Sequence, residues 1–367
     1  MRSEIPVALN PAYAALVERG ALSRAGARMR DYVRTPALTA VITSPRVRSF
    51  WGAALEQSLA EAELRYGVFE LPDGEQYKNL ASVRRLAEAL VEAGADRDCL
   101  VVAFGGGVVG DVGGLLASVY MRGVALLQIP TTLLAMVDSS LGGKTGVNLI
   151  GGKNLVGTFY HPLAIVADPA VLATLPEREY RSGLAEAVKY GIIGAPQLFE
   201  FIESNAAALR RQEPELLESL IASCLREKAA VVIGDERDQG RRQALNFGHT
   251  IGHALESVTG YQRYLHGEAV AWGMIAVARL AVRLGRLSDA EAARMIAVIL
   301  AACAPLPTLA EDPALVLRHA ASDKKAHGGQ LRFLLPLGIG RVEITAGIAE
   351  SEILAAITEA ALITAPA

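Results

Sequence analysis

The chain has 367 residues, of which 51% are hydrophobic and 20% charged, with a formal net charge of −3. That length suggests two domains, and the charge leaves no nucleic-acid footprint. Three widely separated cysteines, Cys99, Cys224 and Cys303, argue against a disulfide framework and against a cysteine-built zinc site. The N-terminal stretch has no apolar core of signal-peptide length. The longest uncharged run, 295–310, is broken by Pro305 and Pro307 and falls short of the about 20 apolar residues that a bilayer span needs. The expectation is a cytoplasmic protein with no nucleic-acid and no membrane partner.

The first half alternates. ALTAVIT (37–43) predicts a strand and 50–64 an amphipathic helix; YGVFEL (66–71) predicts a second strand, followed by a helix over 80–93. CLVVAF (99–104) is purely apolar, which predicts a strand buried on both faces. VALLQIP (124–130) and AIVADP (164–169) continue a βαβα rhythm that predicts a parallel sheet with helices on both faces. Beyond Thr174 apolar residues recur at i, i+3, i+4 through 181–193, 214–233, 243–258, 267–284 and 289–303. There only QLRFLLP (330–336) reads as a strand, and the tail after Ile353 reads as a terminal helix. The predicted fold is an α/β N-terminal nucleotide-binding domain over 1–178 and a mainly α-helical C-terminal domain over 179–367.

The densest chemistry lies in 105–154, which runs GGGVVGDVGG, YMRG, IPTTLLAMVDSSLGGKTGVN and GGKN. Glycine is costly inside regular structure, so such turns mark places where the backbone comes close to something. Nearby lysines and an arginine point to an anion, most simply phosphate. The run Gly105 to Gly110 fits G-x-G-x-x-G after an apolar strand, which suits a nucleotide or a tight strand-to-helix turn. The acidic residue that usually ends the next strand is missing, because that strand ends IPTT. An earlier turn, Asp73-Gly74-Glu75-Gln76-Tyr77-Lys78, follows the second strand, where an open parallel sheet binds ligands; read alone it is a solvated turn.

The helical half offers metal-ligand chemistry. Of six histidines, His249 and His253 lie four apart and His266 follows closely. Spacing alone makes the first two a ligand pair sharing one helix face, and leaves open whether one of them serves as acid or base. With a carboxylate such as Glu186, the set suits a divalent ion. Arg242 and Asn246 lie seven and three residues before His249, so they line the same pocket if the run is one helix. The cations Arg122, Lys144, Lys153, Lys189, Lys228, Arg242 and Lys324 or Lys325 suit a small molecule carrying both a phosphate and a carboxylate.

GGGVVGD, YMRG, PTTLLAMVDSSLGGKTGVN, GGKNLVGTFYHP, TLPEREYRSGLAEAVKYG, LNFGHTIGHALE and LHGEAVAWGM together resemble the 3-dehydroquinate synthase family of sugar-phosphate cyclases. The match is dense over 65–275, and DKK and GQLRF extend it towards the C-terminus. The resemblance implies the family's fold and its reaction, from 3-deoxy-D-arabino-heptulosonate 7-phosphate to 3-dehydroquinate and phosphate in the shikimate pathway. That reaction proceeds by transient oxidation with NAD, phosphate elimination, re-reduction and aldol closure. The cofactors implied are NAD and a divalent metal, zinc or cobalt, and the assembly implied is a homodimer.

Residue by residue, the resemblance makes Glu186, His249 and His266 the metal ligands and moves His253 to the substrate phosphate. NAD is assigned to Asp73, Gly74, Glu75, Gln76, Tyr77 and Lys78, to Gly107, Val108, Val109, Gly110 and Asp111, and to Thr131 and Thr132. It is further assigned to Asp138, Lys144 and Lys153 and to the turn Val171, Leu172, Ala173 and Thr174. The phosphate is assigned to Asn154, Lys189, His253, Lys324 and, from the partner subunit, Arg122. The carboxylate and hydroxyls are assigned to Lys144, Lys228, Arg242 and Asn246. One departure is Thr43-Ser44-Pro45, where the family often has an Asp or Asn for the adenosine end of NAD. The alternatives are a sibling cyclase with another product and a metal-dependent polyol dehydrogenase of related fold.

Overall fold

The computed structural model describes residues 2–33, 36–325 and 331–363; the side chains of 322–325, Lys324 among them, lie outside the described residues. It divides into two compact units. The first takes Met1–Pro176 and Leu217–Arg237, the second Glu177–Leu216 and Asp238–Ala367. The sequence suggests a single break at 178/179; the units instead interleave, because the helix Pro214–Gly234 begins in the second and continues in the first.

In the first unit, β1 (Arg2–Val7) and β2 (Tyr13–Glu18) form an antiparallel hairpin. The parallel strands are β3 (Thr39–Thr43), β4 (Tyr66–Glu70), β5 (Leu100–Gly105) and β6 (Ala125–Pro130). A separate hairpin joins β7 (Lys144–Leu149) to β8 (Gly152–Phe159), and β9 (Ala164–Ala167) returns to the sheet. The sheet order is β1-β2-β9-β6-β5-β3-β4. Every residue of β3 and of β5 is buried, which is why β5 reads as an unbroken apolar run and β3 as an apolar stretch with a threonine at each end. Val101 and Ala103 pack with Val109, Val112 and Leu116 of the helix Gly107–Val119 in one core. β5 lies on one side of β3 and β4 on the other, so the strand order reverses at the C-terminal ends of β3 and β5. Open α/β sheets bind ligands at such a point, and the 105–107 turn opens there.

The second unit is built on helices. His266–Arg283 lies at its centre and packs against Glu177–Ile193, His249–Val258, Asp289–Cys303 and Glu350–Ala361. A small antiparallel pair, β10 (Arg332–Gly338) and β11 (Arg341–Ala346), completes it. β11 corrects the expectation of a lone strand there: its RVEITA alternates polar and apolar residues but none of them is buried, so its pattern is short and carries no core face. The expected helix over 243–258 is also corrected, because a 3₁₀ turn at Arg241–Asn246 is separated from His249–Val258 by Gly248 in the left-handed region. All three cysteines are buried, and burial pushes the Cys99 and Cys303 thiols up to about 11 and about 12. No helix among the described residues is long and apolar enough to cross a membrane.

Candidate active site

Glu186 and Lys189 sit one turn apart on the helix Glu177–Ile193, which is exposed over its first three residues and fully buried from Ser182 to Ile192. Each is only 1% exposed, and they form an ion pair; a charge so deeply buried needs such a partner. His249 opens its helix directly after Gly248, whose φ is +79°. A methyl group on Gly248 would lie 2.9 Å from the Met274 nitrogen and the Val270 carbonyl oxygen. One on Gly273 would lie 1.9 Å from the Gly248 carbonyl oxygen. These glycines let the His249 and His266 helices meet backbone to backbone.

At that meeting the His249 and His266 Nε2 atoms each lie 3.5 Å from the same oxygen, Glu186 Oε1. The opposite ring atoms are also engaged. His249 Nδ1 lies 3.1 Å from the Phe247 carbonyl oxygen, which can only accept, so the proton belongs on Nδ1 and the lone pair on Nε2. His266 Nδ1 lies 3.4 Å from Glu256 Oε2. Burial pushes His249 down to about 3, leaving it neutral. Burial acts the same way on His266, but hydrogen bonds to Glu186 and Glu256 overcome it and hold that ring up to about 10. His253 is exposed and stays close, its ring centroid 5.2 Å from that of His249 and 5.8 Å from that of His266. One nitrogen from each of the three histidines lies within 4.8 Å of the others.

Arg242 is buried and Asn246 exposed on the 3₁₀ turn before Gly248. The left-handed Gly248 breaks the helical spacing by which both were expected to share a face with His249. Glu256, which reasoning from sequence missed, had one signal: it lies seven residues after His249, on the same helix face.

In the first unit, β5 ends at Gly105 and Gly106 caps the helix Gly107–Val119 with no side-chain bond. A methyl group on Gly106 would lie 2.9 Å from Thr132 Cγ2, and one on Gly107 3.3 Å from Ser139 Oγ. Thr131 donates its backbone N–H to the Gly105 carbonyl at 3.0 Å, while Thr132 Oγ1 accepts from Ala135 N at 3.2 Å. Asp111, on the helix that follows, pairs with buried Lys78 at 2.5 Å. Burial pushes the Asp111 carboxyl up, with Lys78 opposing.

Lys78 also donates to Asn154 Oδ1 at 2.6 Å, Asn154 N to Asn148 Oδ1 at 2.9 Å, and Asn148 Nδ2 to Glu75 Oε1 at 2.8 Å. The Asp73–Lys78 turn, the Gly107–Asp111 turn and the β7–β8 hairpin are thus joined in one polar network. Lys228, buried on Pro214–Gly234, meets Asp138 through both the carboxylate at 3.0 Å and the carbonyl at 2.6 Å. Lys144 is exposed at the start of β7, and Lys153, half-buried, lies on β8. Val171 and Leu172 are core residues of the 3₁₀ turn Pro169–Thr174; Ala173 is exposed, and Thr174 Oγ1 accepts from Trp51 Nε1 at 2.8 Å. Exposed Arg122 follows Met121, and both have positive φ, +70° and +48°.

Residues 68–182 match the family model for the 3-dehydroquinate synthase N-terminal domain, and residues 183–326 match the model for its C-terminal domain. The chain belongs to the 3-dehydroquinate synthase family. The 3-dehydroquinate synthase of Koribacter versatilis (strain Ellin345) is 48% identical over 336 residues, covering 92% of each chain. That of Gloeobacter violaceus is 45% identical, covering 92% of this chain and 94% of its own. Among solved structures, the 2-epi-5-epi-valiolone synthase of Streptomyces hygroscopicus, with NAD+ and Zn2+ bound, superposes with a TM-score of 0.87. It is 29% identical and covers 95% of this chain and 96% of its own. A 2-deoxy-scyllo-inosose synthase complexed with carbaglucose-6-phosphate, NAD+ and Co2+ gives 0.88 at 28% identity, covering 98% and 99%. A probable glycerol dehydrogenase from Sinorhizobium meliloti, at 18% identity and 0.65, shares the fold.

The residues present fit both groups that accompany those two cyclases. A buried carboxylate facing two Nε2 atoms, with a third imidazole beside them, is a donor set suited to zinc or cobalt. Gly106 and Gly107 leave a cradle at an uncapped helix start that a larger residue would fill, as a pyrophosphate needs.

Proposed function

We infer that this chain converts 3-deoxy-D-arabino-heptulosonate 7-phosphate to 3-dehydroquinate and phosphate, as a cytoplasmic homodimer using NAD and zinc or cobalt. The observation that carries the reading is the Glu186 oxygen faced by His249 and His266, on a chain that belongs to the synthase family. When bound, the metal supplies Lewis-acid polarisation of a substrate hydroxyl, and NAD supplies reversible hydride exchange. Glu186, His249 and His266 hold the metal. The Asp73–Lys78 turn, Gly107–Asp111, Thr131, Thr132, Asp138, Lys144, Lys153 and Val171–Thr174 hold NAD.

The chain's own groups then bind and orient the substrate. Lys144, Lys228, Arg242 and Asn246 take its carboxylate and hydroxyls. Asn154, Lys189, His253, Lys324 and the partner's Arg122 take its phosphate. Fixing one flexible molecule through several steps can be worth about 7–11 kcal/mol of barrier. With the phosphate held by cations, its own oxygens accept the proton lost before elimination, so a dedicated base is not required. Within that set, Lys228, Arg242 and Asn246 together favour this carboxylate-bearing substrate over those of the sibling cyclases.

The dimer is supported by the exposed apolar side chains of Val119, Met121, Leu149, Ile150 and Leu155, near Arg122 in sequence or on the β7–β8 hairpin. The decisive assay gives purified protein the heptulosonate phosphate, trace NAD and Zn2+ or Co2+. Equimolar phosphate and dehydroquinate are expected, without net NADH. NADH accumulating from a simple alcohol, with no phosphate release, would overturn the reading in favour of a polyol dehydrogenase.

A further inference from the structure

Three contacts pin the first turn of the His266 helix to the Glu186 helix, and none involves a donor atom. Glu268, only 4% exposed, receives Arg178 in a two-pronged pair: Nε to Oε1 at 2.7 Å and Nη2 to Oε2 at 2.7 Å. The same Oε2 accepts the backbone N–H of Leu265 at 2.8 Å, and Arg178 Nη2 also donates to the Arg263 carbonyl at 2.8 Å. Between clamp and ligand, Gly267 N donates to Ser182 Oγ at 2.9 Å, and a methyl group on Gly267 would lie 1.9 Å from the Ser182 carbonyl oxygen.

Arg178, Ser182 and Glu186 are spaced four apart, so they climb one face of their helix. Opposite them, Glu268, Gly267 and His266 are consecutive. The clamp, the close contact and the ligand pair therefore form a single seam between two helices. A planar guanidinium gripping both carboxylate oxygens fixes direction as well as distance. The backbone bond from Leu265 to Glu268 passes that restraint to the residue just before His266.

We propose that Glu268, acting with Arg178 and Gly267, is a positioning residue that sets the distance between Glu186 and His266 and thereby the affinity of the metal centre. The inference rests on the metal reading given above. It predicts that loosening the seam weakens metal binding in protein that is still folded, beyond any loss of stability.

The test uses full-length protein stripped of metal by chelation and titrated with Co2+. Binding is read from visible absorption and from competition with a chromophoric chelator, at a temperature where circular dichroism shows the apo protein folded. Glu268→Gln is expected to weaken Co2+ binding about 10-fold and to change the cobalt absorption bands, the low end of the 10- to 100-fold by which groups bonded directly to metal ligands typically act. Arg178→Lys, which keeps the charge and loses the fork, is expected to move both readouts in the same direction by less. Glu359→Gln is the control, because Glu359 pairs with Arg279 and Arg283 at the far end of the same helix. It should lower the melting temperature and leave Co2+ affinity and spectrum unchanged.

Glu268→Gln and Arg178→Lys proteins that melt earlier but bind Co2+ with the parent's affinity and spectrum would overturn the proposal. If Glu268→Gln does not fold, Arg178→Lys alone decides. A parent that fails to bind Co2+ at all would instead overturn the metal reading, so the two failures are distinct.

Discussion

Glu256 is buried, and its Oε2 lies 3.4 Å from His266 Nδ1. A carboxylate behind a ligating imidazole fixes the ring and raises its basicity. Glu256→Gln keeps the shape and removes the charge. It is expected to weaken Zn2+ or Co2+ binding about 10-fold, with activity largely recovered at higher metal concentration. Activity that falls without any change in metal affinity would refute that role. Spacing in the sequence identified the histidine cluster but favoured His249 with His253, because i, i+4 marks a shared helix face. That Glu186 and His266 arrive from two further helices at the same oxygen is a tertiary fact, set by Gly248, Gly267 and Gly273. Those glycines stand in the sequence as mere interruptions of helical pattern.

At the scale of elements, the parallel strands were readable because burial on both faces leaves no charged positions in β3 and β5, and the only polar ones in them are Thr39 and Thr43 at the two ends of β3. The hairpins were not. In β1 only Ile5 and Val7 have buried side chains beside charged neighbours, and β7 and β8 are interrupted by Gly146, Asn148, Asn154 and Gly157. The terminal helix Glu350–Ala361 is tied to His266–Arg283 by Glu359, which accepts from Arg279 Nε at 2.8 Å and from Arg283 Nη1 at 2.8 Å. Burial works against the Glu359 carboxylate, but these two arginines hold its pKa below the ordinary 4.5. A carboxyl with a lowered folded-state value contributes stability above its unfolded value and loses it as pH falls through the folded one. Glu359→Gln should therefore destabilise the protein at pH 7 by no more than about 1 kcal/mol, since the pair is partly solvated. The deficit should shrink below pH 4.5 in thermal melts across that range. A deficit unchanged by acid would rule out the ion pair as its source.

For the whole molecule, the assignment of Arg122 to a partner's phosphate makes a stoichiometric prediction. Arg122→Ala and Glu186→Gln proteins should each be nearly inactive. Mixed and allowed to exchange subunits, they should recover activity, because each heterodimer has one site with Glu186 from one chain and Arg122 from the other. No recovery, with exchange shown by mass spectrometry, would place Arg122 in its own subunit's site. Met121 and Arg122 both hold positive φ, a conformation costing non-glycine residues about 1 kcal/mol or more each. That cost suits a segment presented outward for a specific contact.

The path of the helix Pro214–Gly234 limits how the protein can be dissected. The chain passes from the first unit to the second at 176/177, back at 216/217, and over again at 237/238. A fragment ending at Pro176 would lack Lys228, and Asp138 would lose the ammonium that holds it at 3.0 Å. No single scission, by protease or by gene design, separates the two compact units with both intact.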